Sequence, residues 1–267
     1  MQTGGKNDTK GEGRMNNSRE ILQNVIGQVR QVVVGKDACI EKIMMAMLAN
    51  GHVLMEDIPG VGKTTMAVAF ARALGLEARR MQFTSDVLPS DITGFSVYRK
   101  DLQSFVYKPG AVFCNLFLAD EINRTSPKTQ SALLEVMEER QVTVEGVTRQ
   151  VPRPFMVIAT QNPSGSAGTQ MLPESQMDRF LICLSMGYPE LKDEIAILKG
   201  RSAGNPLEDL APVADAELLL QMQAEAERVF VHDVLYEYAA NLVRATRVHP
   251  MVELGMSPRG GRGGGRL

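Results

Sequence analysis

Tryptophan is absent from these 267 residues, and aromatic side chains make up only 5% of them. Nucleic-acid bases are held by aromatic faces set among basic residues, and no such interleaving occurs here. No charge excess exists either: 29 basic against 31 acidic residues leave a net charge of −2, too little for a global field that would hold nucleic acid. Cysteine is scarce. Cys39, Cys114 and Cys183 lie far apart with no C-x-x-C pair, which excludes a disulfide framework and a zinc ribbon. Cys114 and Cys183 sit in apolar runs and are expected as buried thiols of a reducing compartment. His52, His232 and His249 are equally scattered, none at metal-ligand spacing. No apolar run approaches ~20 residues, so no membrane-spanning helix is expected. The opening residues, 1–18, are polar and lack the apolar core of a signal peptide. They are expected as a disordered leader, and the cytoplasm as the address.

What is present suffices for one substantial core and a smaller second unit, with 44% of residues hydrophobic. Ile21, Leu22, Val25, Ile26 and Val29 follow Ser18 at helical spacing, and Ile40, Ile43, Met44, Met47 and Leu48 mark a second helix. Residues 52–56 form a buried-strand candidate, followed by a glycine-rich turn and a helix carrying Ala67, Phe70, Ala71 and Leu74, closed by Gly75. Further strands are expected over 79–83, 116–120, 155–160 and 180–184. Between the third and fourth, Ser126 and Pro127 open a helix whose apolar stripe is Leu133, Leu134 and Met137. Strands alternating with helices predict an α/β fold, a parallel five-stranded sheet sandwiched by helices. Residues 94–113 and 142–148 interrupt the alternation as two inserted hairpins, the second turning at Glu145-Gly146. Beyond Pro189 the pattern is helical, clearest over 217–230 and 234–248.

The chemistry gathers after the strands. Backbone N–H groups can converge on an anion only where side chains are absent, and Gly60 and Gly62 meet that need. Lys63 brings a charge to the β- and γ-phosphates of a nucleotide, and the Thr64 hydroxyl can ligate Mg²⁺. Around them Asp57, Ile58, Pro59, Val61 and Thr65 complete the expected phosphate cradle. The consensus for such a loop opens with glycine, and here that position is Asp57, which is expected to point away from phosphate or to contact another loop. The third strand ends in Asp120 and Glu121. Asp120 can hold Mg²⁺ through water, and Glu121 can polarise a water for attack on the γ-phosphate. Asn123 and Arg124 follow, Arg124 reading equally as a surface charge. The fourth strand runs into Ala159-Thr160-Gln161-Asn162-Pro163, where Asn162 is the candidate to orient the attacking water. The loop taken alone allows either ATP or GTP.

These segments together resemble an AAA+ ATPase of the MoxR family, over residues 32–259. The resemblance rests on the strand and loop from His52 to Thr64, on Asp120-Glu121-Ile122-Asn123-Arg124 and Glu139-Arg140-Gln141-Val142, and on Ala159-Thr160-Gln161-Asn162-Pro163 and Leu172-Pro173-Glu174-Ser175-Gln176-Met177-Asp178-Arg179-Phe180. It implies Walker A roles for Lys63 and Thr64, Walker B roles for Asp120 and Glu121, and a sensor 1 role for Asn162. It also implies that Arg179 is an arginine finger reaching a neighbouring subunit's nucleotide, so that hydrolysis depends on assembly. Arg179 paired to Asp178 or another nearby acid is the plainer alternative. By the same resemblance Arg259 is sensor 2 of a helical lid, Val33, Val34 and Gly35 contact adenine, and the two hairpins face a pore or a substrate. The implied cofactors are ATP and Mg²⁺. The implied assembly is a ring, hexameric by analogy, that remodels or matures a protein client, often one with a von Willebrand factor A domain.

The layout expected is a disordered leader over 1–18, a nucleotide-binding α/β domain over 19–188, a partial helical lid over 189–259 and a Gly/Arg-rich disordered tail over 260–267. The family's lid continues past its sensor 2 arginine, whereas here five glycines fall among residues 260–265. Each glycine disfavours helix by about 1 kcal/mol against alanine. An incomplete lid is therefore expected, with Arg259 poorly positioned and hydrolysis slower than binding would suggest. Three alternatives stay open: a nucleotide-binding scaffold with little turnover, a P-loop small-molecule kinase, and a nucleic-acid motor of a neighbouring branch.

Overall fold

Five short apolar segments pair edge to edge in the computed structural model, which describes residues 8–56, 60–162, 171–200, 206–253 and 255–257. They are β1 (Val53–Glu56), β2 (Ala78–Gln82), β5 (Leu116–Asp120), β8 (Met156–Gln161) and β9 (Ile182–Leu184), in the order β2-β5-β8-β1-β9. Every pairing is parallel. Such strands are buried on both faces, which is why β5 and β8 read as unbroken apolar runs.

Alternate residues feed two cores. Leu116 and Leu118 point into one, filled by α1 (Asp8–Val32), α2 (Asp37–Leu48) and α3 (Lys63–Ala73), while Phe117 and Ala119 point into the other. The second core is covered by α4 (Pro89–Thr93) and α5 (Pro127–Glu139), with Ser126 capping α5 through the Thr129 N–H at 3.2 Å. Edge strand β2 carries exposed Arg79 and Arg80, charges that discourage another strand from adding to the sheet. The parallel α/β fold predicted from the alternation is the fold observed.

Both inserted hairpins form as expected. The first pairs β3 (Gly94–Arg99) with β4 (Ser104–Pro109), the second β6 (Gln141–Val144) with β7 (Val147–Gln150). They touch each other: the Arg149 guanidinium lies 3.8 Å from the centre of the Tyr107 ring. The Tyr107 hydroxyl donates to the Thr93 carbonyl, fixing the ring under the cation. At the free end of the first hairpin Tyr98 and Phe105 meet edge to face at 5.4 Å, with Leu102 and Phe105 exposed. The C-terminal part is helical, with α6 (Glu174–Met177) preceding β9 and α7 (Leu191–Gly200), α8 (Ala216–Ala226) and α9 (Asp233–Val248) following it.

Some expectations are corrected. The polar leader over 1–18 is helical from Asp8, because once the apolar stripe from Ile21 onward fixes α1, each added residue gains a hydrogen bond without a new nucleation cost. Residues 1–7 and the 260–267 tail lie outside the described residues. The last strand is shorter than 180–184, since Leu181 turns its N–H to the His52 carbonyl at 2.8 Å before the ladder begins. Cys114 is buried as expected, and burial pushes its thiol up to about 12. Cys183 is exposed instead, because edge strand β9 has no neighbour on its outer side. Among the described residues no helix is long and apolar enough to cross a membrane.

His52, which sequence spacing gave no role, knits the sheet to α5. Its Nδ1 accepts the Val157 N–H at 2.9 Å, so the remaining proton sits on Nε2, which donates to the Met137 carbonyl at 3.0 Å. Arg140 closes the same corner with a left-handed φ of 57° and donates to the carbonyls of Phe155 and Asn50; burial lowers its pKa to about 10. Replacing His52 with alanine leaves two buried backbone groups unpaired, each costing about 1–3 kcal/mol. A loss of roughly 2–4 kcal/mol is expected from urea denaturation of His52→Ala, and a change below about 0.5 kcal/mol would refute this role.

Candidate nucleotide site

Because all five strands run the same way, their carboxyl ends share one edge of the sheet, the usual ligand crevice of such folds. Glu56, Gln82, Asp120 and Gln161 are the last residues of β1, β2, β5 and β8 there. After β1 the chain turns through Gly60 and Gly62, at φ 90° and 95°, into α3. A Cβ on Gly60 would meet nothing within 4 Å and one on Gly62 only the Met186 methyl at 4.0 Å. The left-handed backbone therefore makes glycine the favoured residue, and the loop stays open to an approaching anion. No side chain caps α3, which leaves the first-turn N–H groups at Lys63, Thr64 and Thr65 suited to phosphate oxygens. Val61 is half-buried beside them. Asp57, for which an orientation away from phosphate is expected, lies with Ile58 and Pro59 outside the described residues.

At the tip of β5 the Asp120 carboxylate is buried. Its Oδ2 accepts from Arg80 Nε at 2.6 Å and its Oδ1 from the Thr160 hydroxyl at 3.2 Å. Thr160 also accepts the Glu121 N–H at 2.9 Å, so one hydroxyl ties β8 to both acids. Glu121 adopts φ 55°, a strained setting for a side-chain-bearing residue and one that clusters at working sites. Its Oε2 accepts from Gln82 Nε2 at 2.9 Å and from Arg124 Nη1 at 2.8 Å. Arg124 is thus more than a surface charge. Asn123 is fully buried and donates to the Asn162 carbonyl at 3.2 Å, which fixes the backbone where β8 leaves the sheet.

The linker lies beside this edge. Val33 is buried, Val34 half-buried, and Gly35 has φ 71°, with the Asp193 carboxylate of α7 where a Cβ would be. Lys36 donates to the carbonyls of Met186, Gly187 and Tyr188 at 2.6, 3.1 and 2.9 Å. Met186 therefore bridges the linker and the Gly62 turn. Arg179 is elsewhere: it pairs with Glu138 at 3.1 Å, two residues before Leu181, whose N–H meets His52 at the amino end of β1. That is the opposite edge of the sheet from its own phosphate loop. The pairing alternative is met through a nearby acid, Glu138, while Asp178 accepts from Ser257 at 2.5 Å.

Residues 52–182 match the family model described as ATPase family associated with various cellular activities (AAA). The uncharacterized YeaC of Bacillus subtilis is 49% identical over 90% of this chain and 75% of its own length. Chaperone MoxR1 of Mycobacterium tuberculosis is 41% identical over 91% of this chain and 66% of its own length. The chain belongs to the MoxR family of AAA+ ATPases. The fold agrees: the crystal structure of a candidate ATPase from Cytophaga hutchinsonii superposes with a TM-score of 0.90 at 34% identity, covering 98% of this chain and 82% of that one.

In this MoxR-family chain, Lys63, Thr64, Asp120, Glu121 and Asn162 thus gather at one sheet edge, with Val33, Val34 and Gly35 alongside. Arg179 does not join them, and Arg259 lies outside the described residues. Among the described residues no group of three or more His, Cys, Asp or Glu could hold a metal alone. The hydroxyl of Thr64 and the carboxylate of Asp120 are hard oxygen donors, a set that fits Mg²⁺ when nucleotide phosphates supply further ligands. Sequence reasoning missed Arg80, Gln82, Thr160, Lys36 and Met186 as residues of this edge. Thr160 stood inside a quoted motif; Arg80 and Gln82 are revealed only by the register of β2 on β5, and Lys36 and Met186 only by the packing of the linker against the chain after β9.

Proposed function

We propose that this chain binds ATP with Mg²⁺ and hydrolyses it within a ring of subunits, hexameric by analogy, to remodel or mature a protein partner in the cytoplasm. The observation that carries the reading is the joined tip of β5 and β8, where Thr160 holds Asp120 and Glu121 side by side next to the phosphate loop. Thr64 and Asp120 hold the metal, whose charge, when bound, offsets that of the phosphates. The α3 N–H groups and Lys63 cradle the phosphates, while Val33, Val34 and Gly35 contact the base. Glu121 leaves Gln82 and Arg124 to take a proton from water that Asn162 orients. Arg179, too far from its own site, serves a neighbour's, and Arg259 follows as the lid arginine.

The client is a folded or unfolding protein, a von Willebrand factor A domain protein by family analogy, and the exposed Leu102 and Phe105 at the hairpin tip offer it an apolar handle. The relative MoxR1 of Mycobacterium tuberculosis is named a chaperone, which supports this reading. ATP should therefore drive assembly. In light scattering coupled to size exclusion, the parent chain is expected to move from small species to a ring on adding Mg²⁺ and ATP, and Lys63→Ala is not. A monomer unchanged by nucleotide would favour a small-molecule kinase instead.

A further inference from the structure

Asp120 is almost fully enclosed, its side chain 8% exposed, yet its counter-charge comes from a side chain about half in solvent. Arg80 is 53% exposed and stands on the outermost strand of the sheet. It makes two contacts: Nε to Asp120 Oδ2 at 2.6 Å and Nη2 to Gln82 Oε1 at 3.3 Å. Gln82 in turn donates to Glu121 at 2.9 Å. A chain of hydrogen bonds thus runs from Asp120 through Arg80 and Gln82, both on β2, to Glu121.

A buried carboxylate needs a partner of opposite charge, and Arg80 supplies it. The guanidinium occupies one acceptor site on Oδ2, and a divalent cation brought to the same buried carboxylate is repelled by that neighbouring positive charge. Because Arg80 sits at the rim, it can swing into solvent without opening either core. We infer that Arg80 is an exchangeable counter-ion of Asp120, displaced when the metal–nucleotide complex binds. Arg80 is then a positioning residue: it sets how much Mg²⁺ the site requires. This rests on the nucleotide-site reading above.

The test follows binding of a fluorescent ADP analogue by the full chain across a Mg²⁺ titration, and separately in EDTA. Removing the competitor in Arg80→Met should lower the Mg²⁺ concentration for half-maximal binding by about tenfold, with affinity in EDTA unchanged within about twofold. Arg80→Lys keeps the charge and should stay close to the parent. An unchanged Mg²⁺ midpoint in Arg80→Met overturns the exchange. So does an equal loss of affinity in EDTA, which would make Arg80 a phosphate ligand. Should Arg80→Met fail to give a cooperative melt, Arg80→Gln carries the same comparison. Parent binding that does not depend on Mg²⁺ likewise overturns the exchange, whereas a parent that binds the analogue neither with Mg²⁺ nor in EDTA brings down the nucleotide-site reading, a result separable from the others.

Discussion

Replacing Glu121 with glutamine should abolish steady-state ATP turnover, lowering it by about 10²–10⁴-fold, while nucleotide binding stays near that of the parent. Glutamine keeps the size of the side chain and can accept from Gln82 or Arg124 through its carbonyl, so the left-handed turn at residue 121 keeps its partners. What it lacks is a basic oxygen for the water proton. The proposed phosphate contacts, from the α3 N–H groups and Lys63, are untouched. Phosphate release and fluorescent-nucleotide binding measured on the same preparation separate the two effects. Turnover within about threefold of the parent would remove Glu121 from the chemistry.

The second large effect concerns Arg179. Its ion pair with Glu138 is partly solvated and contributes little to folding, about 0–1 kcal/mol, so Arg179→Ala should melt close to the parent. An arginine acting on the γ-phosphate is worth about 10³–10⁵ in rate, and turnover should fall by that order. Mixing distinguishes where it acts. Subunits carrying Glu121→Gln retain Arg179, and subunits carrying Arg179→Ala retain Glu121. If the site is shared, co-assembly places an intact Glu121 opposite an intact Arg179 and restores a measurable fraction of activity from two inactive preparations. If Arg179 acts within its own chain, the mixture stays as inactive as its parts. Its place at the amino end of β1 argues for the first outcome.

The phosphate loop, the acid pair and the strand–helix alternation were legible because each is local. Gly60 and Gly62 announce a turn, Asp120 and Glu121 end an apolar run, and Ser126-Pro127 opens a helix. Residues that matter through register were not legible. Nothing in the order of letters says that Gln82 lies beside Asp120, because that follows from β2 pairing with β5 at one offset. His52 was set aside as a scattered histidine for the same reason: its partners, Met137 and Val157, lie far along the chain and arrive through packing. The polar stretch before Ser18 misled in the other direction. Composition describes the isolated segment, whereas α1 is seeded by the apolar residues that follow it.

The stack of Arg149 on Tyr107 has a consequence for engineering. The two hairpins enter the chain at separate points, yet each supplies half of a single joint. An insertion that lengthened one alone would strip an aromatic ring of its cover or leave a guanidinium without a face to rest on. Grafting either into another ATPase would carry an orphaned half. The pair is expected to work as one module, and a chimera that exchanges either hairpin should exchange both together.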